Sequence, residues 1–119
     1  MKYMLLIHQG DAPTPRDAEA WGRLSEDEQM AVYQSYGELN GTAGVTSGQE
    51  LADPGTATTV RVQDGTTLTT DGPFVELKEA IGGYLFFEAA DLDAAIELAA
   101  KIPAARMGGA VEVRPIVER

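Results

Sequence analysis

Two residues in this chain invite a chemical reading: His8, its single histidine, and Asp71, which opens the turn Asp71-Gly72-Pro73-Phe74. Histidine is the side-chain type that exchanges protons near neutrality, and an aspartate held by its own turn is well placed to accept or orient one. Together they could serve as an acid/base pair. Each also has a plainer role. Asp-Gly-Pro is turn chemistry, with the carboxylate free to accept local backbone N–H bonds and Gly72 free to take positive φ. A lone histidine at a strand end is commonly a hydrogen-bonded structural residue. Phe74 either plugs the core beneath the turn or stacks on a ligand. Glu76, Lys78 and Glu79 read as a solvated face. If one of them looks into a cleft, Lys78 suits an anion and Glu76 a base.

Other chemistries find no residues to work with. The sequence has no cysteine, which removes disulfides, thiolate nucleophiles and cysteine-based metal centres. One histidine among dispersed carboxylates lacks the spacing of a zinc site, and no Asp-rich calcium loop is present. Gly82-Gly83 and Gly108-Gly109 form neither a dinucleotide fingerprint nor a phosphate loop; they suit a close backbone approach or a bulge. There is no G-x-S-x-G elbow. No cofactor and no metal are expected. Nine basic residues against nineteen acidic ones leave a net charge of −10, the wrong sign for nucleic acid or an anionic membrane. MKYMLLIHQGD is too short and too poorly flanked for a secretory segment, so a cytoplasmic protein is expected.

The elements that must position these residues follow from the patterning of 119 residues, enough for one domain spanning 1–119. KYMLLIH (2–8) reads as a strand, and the prolines of DAPTPRD (11–17) make a loop. Ser25 and Glu28 form a capping box, predicting a helix from about residue 26 to Leu39 that ends at Asn40-Gly41. Trp21 and Leu24 anchor its start, and Met30, Tyr33 and Gly37 share its apolar side. A glycine-loosened strand is expected over 44–51. A hairpin of 57–62 with 66–70 closes around Asp64-Gly65. GGYLFFEA (82–89) is a strand. Asp91 caps a helix whose Leu92, Ala95, Ile96, Ala99 and Ile102 recur at helical spacing, and Pro103 stops it. In the last strand Val111, Val113, Pro115 and Val117 oppose Glu112, Arg114 and Ile116, and its proline marks an edge.

With the hairpin set aside, the order is βαββαβ: a ferredoxin-like α+β fold with an inserted β-hairpin and both helices on one face of an antiparallel sheet. The other face is left bare. Alternation assigns Met4, Leu6, His8, Tyr84, Phe86 and Glu88 to it, with Arg114 from the last strand. So apolar a face asks for cover, which a second copy packing sheet to sheet would supply. Where that interface opens at the strand ends, a cleft could take a small, possibly anionic molecule, with Tyr84, Phe86, Glu88 and Arg114 beside His8.

The string DGPF (71–74) followed by Glu76, Lys78, Glu79 and Gly82-Gly83-Tyr84, with MKYMLLI at one end and AVEVRPI at the other, resembles the YCII-related group and specifically its DGPF-domain branch. The resemblance implies a ferredoxin-like domain of the dimeric α/β-barrel type, joined through its sheet, with a pocket beside the DGPF segment and the first strand. It implies a role that is mostly unassigned, in some members tied to sigma factors. Relatives in the wider group suggest a histidine–aspartate dyad, its histidine on the first helix; one branch resembles enzymes that remove halide from aromatic lactones. Here that helix offers Tyr33 and Tyr36. Two functions are therefore expected: a ligand-binding homodimer, or a lyase- or hydrolase-like enzyme using His8 and Asp71.

Overall fold

The run KYMLLIH becomes a central strand. In the computed structural model, which describes residues 1–73 and 81–119, β1 (Lys2–His8) lies antiparallel between β5 (Ile81–Glu88) and β6 (Ala110–Pro115). The short β2 (Val45–Thr46) closes the other edge against β5, giving the order β2-β5-β1-β6. The chain is an α+β protein with antiparallel sheets, consistent with a ferredoxin-like fold. β6 is an edge strand, as Pro115 requires.

Burial alternates along the strands with period two. Tyr3, Leu5 and Ile7 of β1 and Leu85 and Phe87 of β5 are buried, while Met4, Leu6, His8, Tyr84 and Phe86 between them are only half-buried. The buried set meets α2 (Glu26–Asn40), α3 (Leu92–Ala99) and α4 (Pro103–Arg106) through Leu39, Ala95, Leu98, Ala99, Ile102 and Ala104. Val111 and Val113 pack against the same core. The faces of β1 and β5 are those the alternation predicts. In the last strand only Val111 and Val113 follow it, because the strand ends at Pro115, which is exposed, and Val117 beyond it is 72 % exposed.

The helices differ in detail. α2 starts where the capping box places it: Ser25 Oγ accepts from the Glu28 N–H, and Glu28 accepts from the Ser25 N–H. Its buried side is Val32, Tyr36 and Leu39, however. Met30 and Tyr33 are 57 % and 55 % exposed, and Tyr33 meets Trp21 edge-on at 5.5 Å. Trp21 belongs to a short helix, α1 (Ala18–Gly22), that touches this outer side through that ring contact. In α3, Leu92 and Ile96 stay half-exposed while Ala95 and Ala99 are buried. Two alanines let the helix lie close to the sheet, and that turns Leu98 rather than Ile96 inward. Pro103 also begins α4 instead of merely ending α3, since its fixed φ and missing N–H suit a first helical position.

The strand expected over 44–51 contracts to Val45–Thr46 and one isolated bridge, Glu50 to Gly83. Gly48 sits so close to the Tyr84 backbone that any Cβ would collide with it. Gly82 is passed over in the β1–β5 register, where Ile7 pairs with Gly83 and His8 with Ile81, so a bulge ends the ladder. The hairpin forms as predicted, β3 (Thr58–Gln63) with β4 (Thr66–Asp71), in a two-stranded sheet of its own. Asp64 and Gly65 both take positive φ, the signature of a type I′ turn.

Candidate functional site

Where β1 ends, the chain turns through Gln9 and the proline loop and leaves a cavity of about 240 Å³ on the helix side of the sheet. Its apolar wall is Ile7, Ala12, Val32, Leu85, Ala104 and Met107, drawn from both layers. Its polar groups include Gln9, Tyr36, Asn40, Gln49 and Glu50, with the hydroxyls of Thr14 and Ser47. Local structure holds several of them. Gln9 donates from Nε2 to the Ala12 carbonyl at 3.2 Å, tying the loop, and the Ser47 hydroxyl donates to Asn40 Oδ1 at 2.9 Å. The Gln49 carbonyl accepts from the Tyr84 N–H at 3.2 Å, which keeps residues 47–50 against β5 despite the broken strand.

Tyr36 is the most telling of these groups. It stands one turn after Val32 on the buried side of α2, and burial pushes its hydroxyl above the ordinary phenol range, with the Glu50 carboxylate adding to the shift. Among the described residues its hydroxyl has no hydrogen-bond partner, so it can donate to a guest. Glu50 is held in turn by Arg16, whose Nε lies 3.0 Å from Glu50 Oε1 and whose Nη1 lies 3.3 Å from Asp53 Oδ1. The guanidinium thus joins the proline loop to the opposite rim. It borders an adjoining cleft rather than the cavity, whose described lining has one carboxylate and no basic side chain.

Of the described residues singled out by sequence as site candidates, only Tyr84 lines the cavity. The Tyr84 ring meets Phe86 edge-on at 5.9 Å. His8, Phe86, Glu88 and Arg114 belong to the face away from the helices. There His8 Nε2 is 3.2 Å from Glu112 Oε1, and Arg114 Nε donates to Glu112 Oε2. These contacts, Arg114 first and His8 second, hold the Glu112 carboxyl below its usual range. Glu88 takes the N-terminal ammonium at 2.9 Å, and the Lys2 ammonium sits 5.4 Å from the centre of the Phe86 ring. Asp71 ends β4, exposed, opposite Thr58. Phe74, Glu76 and Lys78 lie outside the described residues.

Sequence reasoning missed Tyr36 and Glu50 as partners. The stripe Val32–Tyr36–Leu39, at spacings of four and three, was available as a signal but was outweighed by Met30 and Tyr33. For Glu50 no local signal exists, because a bridge to Gly83 from a distant part of the chain delivers it.

The model of the YCII-related domain matches residues 1–119. The chain belongs to the YCII-related family. It is also similar to an uncharacterized protein of Rhizobium meliloti (strain 1021), 32 % identical over 121 residues, covering 98 % of this chain and 92 % of that protein. The relative brings no activity with it, so the function of this YCII-related chain has to be argued from its own cavity. No helix among its described residues is long and apolar enough to cross a membrane.

Proposed function

We propose that this YCII-related protein, read as a member of the DGPF branch, is a homodimer that binds a small molecule in the cavity beside the end of β1. The observation that carries the reading is the half-buried Tyr36 hydroxyl, which faces a 240 Å³ space between apolar walls without a described partner. A cavity of about 150 Å³ is enough for benzene, so this one has room for an aromatic ring with a short substituent. The carboxylate of Glu50 and the lack of a basic residue in the described lining weigh against the anion that the sequence suggested. They favour a neutral molecule carrying one hydrogen-bond acceptor. An acid/base enzyme built on His8 and Asp71 would need both groups around one substrate, and neither borders this cavity.

The dimer reading is supported by the bare sheet face. Met4, Leu6, Tyr84 and Phe86 stand there side by side, in register Met4 with Phe86 and Leu6 with Tyr84. The charges around them are largely paired with one another, Arg114 with Glu112 and Glu88 with the N-terminus, and the His8 ring also bonds Glu112. A surface both apolar and internally neutralised suits a second copy of an acidic chain.

Ligand-observed NMR with acetophenone and benzamide tests the binding. Tyr36→Phe is expected to weaken acetophenone about tenfold, in line with the loss of one hydrogen bond. Val32→Trp should fill the cavity and abolish the signal, and His8→Ala should leave it unchanged. Binding that survives Val32→Trp would place the ligand elsewhere and end this reading. Sedimentation equilibrium tests assembly: Phe86→Glu should yield monomers that still fold.

A further inference from the structure

The β3–β4 hairpin has no place in the cavity or on the bare sheet face, and its state in isolation is physically awkward. Every residue of β4 is exposed, as is every residue of β3 but Thr59. Val60 and Val62 are 58 % and 69 % accessible. The register puts them on one side of the hairpin, facing Thr69 and Thr67. The molecule is correspondingly spread out: its Cα radius of gyration is 16.2 Å and its extents are 52 × 43 × 18 Å, against an expected radius of about 13–14 Å for a chain this long. A lone two-stranded hairpin is marginal at best in water.

We infer that the Val60–Val62 side of the hairpin packs as an arm on a second copy of this chain; the inference rests on the homodimer reading above and extends its contact surface. Charge identifies the occupant. The hairpin, residues 58–71, carries Arg61 against Asp64 and Asp71, a net −1, so the rest of the chain carries nearly all of the −10. Two copies of so acidic a protein repel except where charge is thin, and this is such a place. A basic protein partner would seek the acidic surface, not a side made of valine and threonine. Permanence points the same way, because an identical chain is the one partner made whenever this chain is made. One side of a hairpin six residues long covers only about 200 Å² (~20 Å by ~10 Å), well short of the ~800 Å² per partner of a stable interface. The arm therefore supplements the sheet-to-sheet contact and does not replace it.

Hydrogen exchange read by mass spectrometry on the full chain, at protein concentrations above and below the dimer dissociation constant, tests this. Amides of 58–63 and 66–71 are expected to be protected in the dimer and to lose at least tenfold in protection on dilution, while β1 and β5 remain slow. The double variant Val60→Thr, Val62→Thr keeps β-branched residues and removes the apolar surface. It should raise the dimer dissociation constant at least tenfold. A dimer whose hairpin exchanges freely, or whose dissociation constant ignores the double variant, overturns the arm but spares the sheet-to-sheet dimer. A monomer at every concentration overturns both, and a hairpin equally protected in monomer and dimer means that the chain covers it itself.

Discussion

Residues five and six of this protein are both leucines, adjacent in one strand, and they live in different worlds. Leu5 is wholly buried among Leu85, Ile102 and the alanines of α3, whereas Leu6 lies half-buried on the other side, between Tyr84 and Glu112. The same backbone carries both, so the difference comes entirely from what stands opposite. One side of the sheet meets helices of its own chain and is satisfied as a monomer. The other shows half-exposed aromatics and self-paired charges, the surface on which the proposed homodimer rests. The cavity belongs to the first side, where packing is tight enough that a gap has meaning.

The sharpest way to break this comparison is to truncate the two leucines in turn. Leu5→Ala should destabilise the fold by about 2–5 kcal/mol, because its site in a close-packed core cannot fully collapse. Leu6→Ala should cost about 1 kcal/mol or less under conditions where the chain is monomeric. Urea midpoints with an unchanged slope would read both values. Equal costs would mean that the two sides are not differently covered and would undo the argument for an outside partner.

A second test probes the cavity alone. Tyr36 has a folded-state hydroxyl pKa raised above its unfolded value. Its neutral form is therefore favoured by folding, so its contribution is fully present below the ordinary phenol pKa of about 10 and is lost as pH rises through the folded value. Wild type should lose more stability above pH 10 than Tyr36→Phe does, seen as a urea midpoint that falls more steeply with pH. A ligand accepting from the hydroxyl should push the phenolate absorbance change at 295 nm still higher. Parallel pH curves for the two proteins would mean that the hydroxyl is free in water.

How much of this was legible beforehand differs between the two sides. Both alternate sets of β1 are apolar, so the strand alone could not say which way it faced; Glu112 and Arg114, alternating with Val111 and Val113 in β6, decided it. Charged residues at period two carry that information because burying them unpaired is prohibitive. The hairpin was equally legible, since Asp64-Gly65 dictates its turn whatever surrounds it. The cavity was not. It needs Tyr36 from α2, Glu50 from a broken strand and Gln9 from a loop, and their meeting depends on the rotation of α2 about its own axis. That rotation turns Tyr36 inward and leaves Tyr33 outside against the edge of Trp21, a packing fact with no local trace in the sequence.

The smallest expected effect lies on the bare side of the sheet, at Glu112. Arg114 and His8 both bond its carboxylate and hold the folded-state pKa below the unfolded one. A carboxyl shifted in this direction contributes stability above its unfolded pKa of about 4.3, and the contribution disappears as pH falls through the folded value. Glu112→Gln should therefore be slightly less stable than wild type at pH 7, with the gap closing as pH falls below the ordinary carboxylate range. Arg114 is mostly exposed, so the pH 7 gap should shrink in 1 M salt in the monomer. The same measurement sharpens the contrast between the faces. If a second copy covers this surface, the network is shut away from solvent and salt screens it much less, so a gap that resists salt only at dimer-forming concentrations would mark Glu112 as an interface residue. A gap equally salt-sensitive at every concentration would leave it in open water, and with it the surface that Met4, Leu6 and Phe86 share.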